Sequence, residues 1–128
     1  MTIQRKASDF GKFSEVVSVQ GPGSWIHVSG QVAFDQTGKA VIGGGIAEQA
    51  EVIFDQMEQH LAAVGASLAD IVKLNIFLVD LAEYAEFSAV RARRFPDNPP
   101  ASAAVGVASL LLGAKLEIDA VAFRADPV

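Results

Sequence analysis

Two charged residues in apolar surroundings are the candidates for chemistry, Glu117 and Arg91. Glu117 lies in the alternating segment 115–123. There Leu116, Ile118, Ala120 and Ala122 take one face, and Lys115, Glu117, Asp119, Val121 and Phe123 the other. The preceding segment 101–107 contains only Ala, Ser, Val and Gly, and an uncharged strand of that kind is easiest to place with both faces covered. A carboxylate beside it then faces a partly dry cleft, where it could act on water as a general base or acid. A salt bridge to Lys73 or Lys115, or an edge position in water, accounts for the same residue equally well. Arg91 falls four residues after Phe87 and four before Phe95, on a helix face that also carries Tyr84. A guanidinium in an apolar stripe needs a carboxylate or an anionic ligand. The more ordinary arrangement, and the expectation here, has its stem on the core and its head in water.

Other chemistry finds little support. His27 and His60 are the only histidines; no acid lies in the strand of His27 to orient its ring as a base, and His60 flanks the apolar stripe of the first helix as a half-exposed edge residue. No close group of His and carboxylates provides a metal site. With no cysteine there is no thiolate nucleophile, thiolate metal site or disulfide. Ser29 and Ser102 have no histidine partner, which leaves nucleophilic catalysis without a base. Gly43-Gly44-Gly45 precedes a helix but is followed by neither a P-loop Lys-Ser/Thr nor a dinucleotide-binding spacing, and reads as a flexible connection.

The elements that must position these residues follow from periodicity. Residues 16–19 and 25–29 read as strands around the turn Gly21-Pro22-Gly23, with 31–34 continuing the second and Asp35-Gln36-Thr37-Gly38 turning back into 39–42. Ala50, Ile53, Phe54, Met57, Leu61 and Val64 form one apolar stripe of a helix that Gly65 ends in a left-handed cap. Ser67 and Asp70 have capping-box spacing. Residues 72–79 form a strand with Val72, Leu74, Ile76 and Leu78 on one face. Asp80 and Glu83 then open a second helix, which runs to Phe95 and is stopped by Pro96. The order predicts an α+β fold, one mixed sheet with two helices packed on one face and the other face left for partner subunits.

The 128 residues suffice for a single domain, 1–128. Net charge −5 and pI near 4.8 weigh against nucleic acid, because acidic residues accompany the only basic cluster, Arg91, Arg93 and Arg94. No apolar run is long enough to span a bilayer, and the N-terminal residues lack the apolar stretch of a signal peptide, so the expectation is a cytoplasmic protein without a membrane partner. A hydrophobic fraction of 51% is high for so small a chain and predicts apolar surface buried in a homo-oligomer.

One ordered set of residues goes further. Ser29-Gly30-Gln31 ends an early strand, Gln49 sits in the first helix, and Asp70-Ile71-Val72-Lys73 opens the central strand. Phe77, Asp80-Leu81, Phe95, Pro100-Ala101-Ser102, Val105, Val107, Gly113, Glu117-Ile118, Ala120 and Ala122 follow. Over residues 13–123 this set resembles the RidA/YjgF family, the reactive intermediate deaminases, also labelled endoribonuclease L-PSP. The resemblance implies a chorismate-mutase-like α+β fold and a homotrimer with small-molecule clefts between subunits. It also implies, in the deaminase branch, hydrolysis of an imino or enamino acid to a 2-keto acid and ammonia without cofactor or metal. A strand Glu matching Glu117 would position the attacking water, and Phe13, Ser29, Gly30 and the residue at 102 would line the substrate. The family's substrate-carboxylate Arg is Ser102 in this chain, and Ala104 stands where that branch often has Cys. A serine hydroxyl cannot reproduce a bidentate guanidinium contact. Two readings result. In one the chain is a RidA-like hydrolase whose substrate is uncharged at that end or is held by another cation such as Arg91. In the other it is a non-catalytic small-molecule-binding or regulatory trimer using the same cleft. RNA cleavage has no machinery here, given the acidic charge and the missing histidine base.

Overall fold

Two alternating segments form the spine of the molecule. The computed structural model describes residues 2–127. Its strands are β1 (Thr2–Ala7), β2 (Ser14–Gln20), β3 (Gly23–Gln31), β4 (Ile71–Leu78), β5 (Ala101–Gly106) and β6 (Leu116–Ala125), and its helices are α1 (Ile46–Ala62) and α2 (Tyr84–Arg94). They build one six-stranded sheet in the order β1-β2-β5-β4-β6-β3. β4 runs parallel to β5 and antiparallel to β6, so the sheet is mixed. Leu74, Ile76 and Leu78 of β4 and Leu116, Ile118, Ala120 and Ala122 of β6 are buried on the face that carries both helices. The alternation predicted from the sequence places these residues on that face.

α1 lays Ile46, Ala50, Ile53, Phe54, Met57 and Leu61 on the sheet, all fully buried. Burying each of these side chains other than that of Ala50 stabilises the fold by about 1.5–3 kcal/mol relative to leaving it in water. Phe54 is the junction with α2, its ring centroid 6.3 Å from Phe87 and 5.5 Å from Phe95. α1 ends with Ala66 N–H donating to Leu61 O and Gly65 N–H to Ala62 O, while Gly65 takes φ +78°. That is the left-handed cap expected at Gly65. Val64 is 51% exposed and falls off the apolar stripe, because the helix has already ended. Two buried or half-buried amides of α1 satisfy loop backbone. The Gln49 side chain accepts from Lys115 N–H and donates to Ile42 O, and that of Gln56 accepts from Phe34 N–H and donates to Val32 O. Asp70 accepts from Ser67 N–H at 2.9 Å, and Asp80 accepts from Ala82 N–H at 2.9 Å to start the turn that leads into α2.

The structure differs from the sequence reading at three places. The first strand, β1, pairs with β2 as a hairpin, although residues 2–7 carry no apolar alternation of their own and are held chiefly by that pairing. The segments expected as strands at 31–34 and 39–42 meet only at the isolated bridge Phe34↔Val41, held by Asp35 N–H to Ala40 O and Ile42 N–H to Ala33 O, while Gln56 binds the other edge of the first segment at Val32 and Phe34. α2 ends at Arg94 rather than Phe95, whose backbone has left the helical region before Pro96.

Candidate functional site

Short side chains on β5 leave space under α2. Ser102 pairs with Leu74 and Ala104 with Ile76, which puts both on the helix-bearing face. The start of α2 passes over them, and the gap is a cavity of about 470 Å³ lined by Phe13, Leu81, Tyr84, Arg91, Ser102 and Ala104. Phe13 is brought there by Ser14, which is buried, donates its N–H to Pro100 O and its hydroxyl to Pro99 O, and pairs with Ala101 as the single rung between β2 and β5.

Arg91 forms the floor of this pocket and is 1% exposed. The snorkelling arrangement expected for it does not occur, because Phe13, Tyr84 and Phe87 close around the head, with ring centroids 5.3, 5.5 and 5.4 Å from the guanidinium carbon. Nη1 donates to Ser102 Oγ at 2.9 Å, and Nη2 donates to Tyr84 OH at 2.9 Å and Ser88 Oγ at 3.2 Å. Nε is buried with no acceptor. Among the described residues no carboxylate lies within 4.0 Å of this guanidinium. Taking a lone cation out of water costs several kcal/mol, and three ring faces worth about 0.5–2 kcal/mol each offset only part of it.

The rest of the basic cluster is consumed structurally. Arg94 binds Glu51, Asp55 and Glu58 on α1 at 3.1, 2.9 and 3.5 Å, and Arg93 binds Glu51 at 3.2 Å. Burial pushes the Glu51 carboxyl up, but the Arg94 and Arg93 guanidiniums outweigh it and hold it below its ordinary value.

Glu117 occupies the opposite face. It pairs with Phe77 near the start of β6, half-buried, and among the described residues makes no ion pair, so the bridges to Lys73 or Lys115 are not formed. The β3–β6 register shifts between Val28 and Gln31, where Ser29 and Gly30 bulge out of the ladder. A Cβ at Gly30 would stand 2.8 Å from Glu117 Oε2, so the glycine makes room for the carboxylate. The sequence-predicted residues therefore fall into two groups. Phe13, Arg91 and Ser102 line the pocket, while Gly30 meets Glu117 at the end of β3 and Ser29 beside it lines a hollow with His27 and His60. β5 and β6 are separated by β4, and rungs 102 and 117 are three residues apart along β4. Roughly 10 Å across the sheet and 10 Å along it, on opposite faces, keeps the two groups from reaching one small molecule within a single chain. Tyr84 is the lining residue whose hydroxyl contact the sequence reading missed, although its place on the Arg91 face was visible.

His27 and His60 line a separate hollow of about 260 Å³ beside α1. Among the described residues no group of three His, Cys, Asp or Glu could hold a metal ion.

The family model for endoribonuclease L-PSP matches residues 4–124. The chain belongs to that family, the RidA/YjgF family. It is 41% identical over 99 residues to the yeast (Saccharomyces cerevisiae) protein MMF1, mitochondrial, covering 77% of this chain and 68% of that protein. It is 32% identical to human 2-iminobutanoate/2-iminopropanoate deaminase over 114 residues, 89% of this chain and 81% of the human protein. The crystal structure of RidA from the Antarctic bacterium Psychrobacter sp. PAMC 21119 superposes with a TM-score of 0.75 at 33% identity, covering 97% of this chain and 99% of that one. The α+β sheet described above is the fold of this RidA family.

Proposed function

We propose that this RidA-family chain is a cofactor-free hydrolase of small imines or enamines, working as a homotrimer in clefts between copies. The observation that carries this reading is the split site. One face offers a pocket with a cation and hydroxyls but no acid, and the other offers an acid with no cation beside it. Packing one face against the other in a neighbouring copy would complete both. The open face has the apolar surface for such packing, with Trp25 56% and Val105 47% exposed. Likeness to human 2-iminobutanoate/2-iminopropanoate deaminase supports the reaction class.

In the cleft, Glu117 takes a proton from a water as its oxygen adds to the C=N carbon, giving a carbinolamine. The proton passes on to nitrogen, and as the C–N bond breaks Glu117 takes the proton of the carbinolamine hydroxyl, so that a ketone and ammonia leave. Low water access around Glu117 strengthens its grip on the attacking water. The test is turnover of freshly generated imines, with ammonia and the carbonyl product measured directly. Glu117→Gln should reduce turnover by about 100-fold or more while leaving the oligomer unchanged. Full activity in that variant, or a monomeric wild-type protein, rejects the reading.

A second reading, a non-catalytic small-molecule-binding trimer, is favoured by one feature. The pocket that would hold the ligand draws its cation and hydroxyls from one chain and has no acid among its lining residues. Ligand binding without product from any imine would establish it.

A further inference from the structure

Ser29 and Gly30 have left the ladder to β6, yet Gly30 stands directly against the Glu117 carboxylate. Some other element has to hold the bulge there. We propose that Gln31 and Gln56 are positioning residues for Glu117, a hydrogen-bonded relay that fastens the bulge, and with it the wall of the carboxylate, to α1. The catalytic consequence rests on the hydrolase reading, whereas the relay itself does not.

A bulge loses ladder hydrogen bonds, so its backbone stays loose unless other groups take hold of it. Among the described residues the side chain that bonds this bulge is Gln31, whose Nε2 donates to Ser29 O at 3.2 Å. That amide is not free to turn. Its Oε1 accepts from Gln56 Nε2 at 3.2 Å, which leaves the nitrogen facing Ser29. The Gln56 amide is set in turn by backbone. Its Oε1 accepts from Phe34 N–H at 2.9 Å, and Nε2 also donates to Val32 O at 2.9 Å. A backbone N–H can only donate, so the Phe34 contact fixes which end of Gln56 is oxygen, and Gln56 then fixes Gln31. The relay begins in the core, where Val32 is 5% exposed and Ile53 and Met57 of α1 are fully buried, and ends at the exposed residues Ser29 and Gly30. The peptide joining those two is trans and planar, so holding the Ser29 carbonyl also sets the plane at Gly30. Closing the chain after β3 needs only the bonds to Val32 and Phe34. The further step through Gln31 back to Ser29 acts on the bulge, whose one contact with a candidate reacting group is the approach to Glu117.

Gln31→Met keeps the length of the side chain and removes both of its hydrogen bonds, leaving Gln56 its bonds to Val32 and Phe34. On freshly generated imines kcat should fall about 10-fold while KM stays within about 2-fold. Tm should fall by less than about 5 °C, because the bond to Ser29 is exposed and the one to Gln56 only partly buried. Gln31→Glu keeps the acceptor for Gln56 but sets an oxygen against Ser29 O; it should lose as much kcat and serves if Gln31→Met fails to fold. Gln31→Met and Gly30→Ala move the same carboxylate, so the double variant should lose clearly less than the product of the two single losses. Crystal structures of wild type and Gln31→Met supply a readout that needs no turnover. The Ser29–Gly30 peptide and the Glu117 carboxylate should shift by about 0.5 Å or more, with residues 32–34 in place. An unmoved bulge, wild-type kcat in Gln31→Met beside an inactive Glu117→Gln, a fall in Tm with kcat unchanged, or fully multiplicative losses in the double variant each overturn the relay. No imine turnover by wild type, with the bulge displaced in Gln31→Met, refutes the hydrolase and spares the relay.

Discussion

Substituting Gly30 by alanine displaces the Glu117 carboxylate without removing it. The added Cβ would lie 2.8 Å from Oε2 and 3.1 Å from Cδ, whereas ordinary contacts begin near 3.4 Å. The carboxylate must therefore retreat by about 0.6 Å or more. It is the far end of a flexible side chain, so an off-rotamer adjustment of about 0.5–1.5 kcal/mol bounds the loss of stability. For a domain of this size that lowers Tm by no more than about 5–8 °C. The catalytic loss should be larger in proportion. A misplacement of 1 Å at reacting groups can cost about 100-fold, so a shift of this size should lower kcat about 10-fold, some 1.4 kcal/mol of barrier. KM should change little, since the Arg91 pocket lies on the other face of the sheet. Steady-state kinetics of imine hydrolysis on Gly30→Ala, with a thermal melt of the same preparation, reads all three quantities. Unchanged kcat in Gly30→Ala alongside an inactive Glu117→Gln would refute the claim that the glycine sets the carboxylate's position. A collapse in Tm would show instead that the bulge is a structural requirement.

Phe54→Ala removes the ring that joins α1 to Phe87 and Phe95, and should cost about 3–5 kcal/mol in denaturant unfolding. Glu51→Gln should destabilise by about 0.5–1 kcal/mol at pH 7, a modest figure because the Glu51 side chain is 40% exposed. Its carboxyl is held below the ordinary 4.5 in the folded chain, so that contribution is present above this value and fades as pH falls through the lowered one; melts of wild type and variant should converge once the pH is below it. Ser102→Arg sets a second guanidinium against Arg91 and should destabilise by several kcal/mol, while Arg91→Met combined with Ser102→Arg should regain most of it. A coupling energy below about 0.5 kcal/mol in that double-mutant cycle would show that the two positions do not share one charge site.

Strand and helix faces were legible because alternation and the three-to-four spacing report which side chains share a side, and that information is local. Leu116, Ile118, Ala120 and Ala122 against Glu117 and Asp119 could be sorted from the sequence in this way. β1 was not legible, since Thr2–Ala7 has no apolar period and is defined by its pairing with β2. The strands expected at 31–34 and 39–42 contract to one bridge, and the free edge of the first segment is satisfied by a glutamine on α1 more than twenty residues away in sequence, a partner that local pattern does not reveal.

Arg91 shows where local reasoning stops. Spacing placed it correctly on the face of Tyr84, Phe87 and Phe95, but spacing cannot say whether a third element closes over that face. Phe13 does so, and it reaches Arg91 only because Ser14 is fastened to the carbonyls of Pro99 and Pro100, some 85 residues further on. With that lid in place, a long side chain that would ordinarily send its charge to water has nowhere to send it. The same fastening opens the cavity, because it carries β5, with short side chains at 102 and 104, beneath the first turns of α2. A cation without a counter-charge and an empty space beside it thus share one cause, the joint between β2 and β5. A ligand that supplies the missing negative charge would stabilise the pocket most where the chain alone leaves it least satisfied.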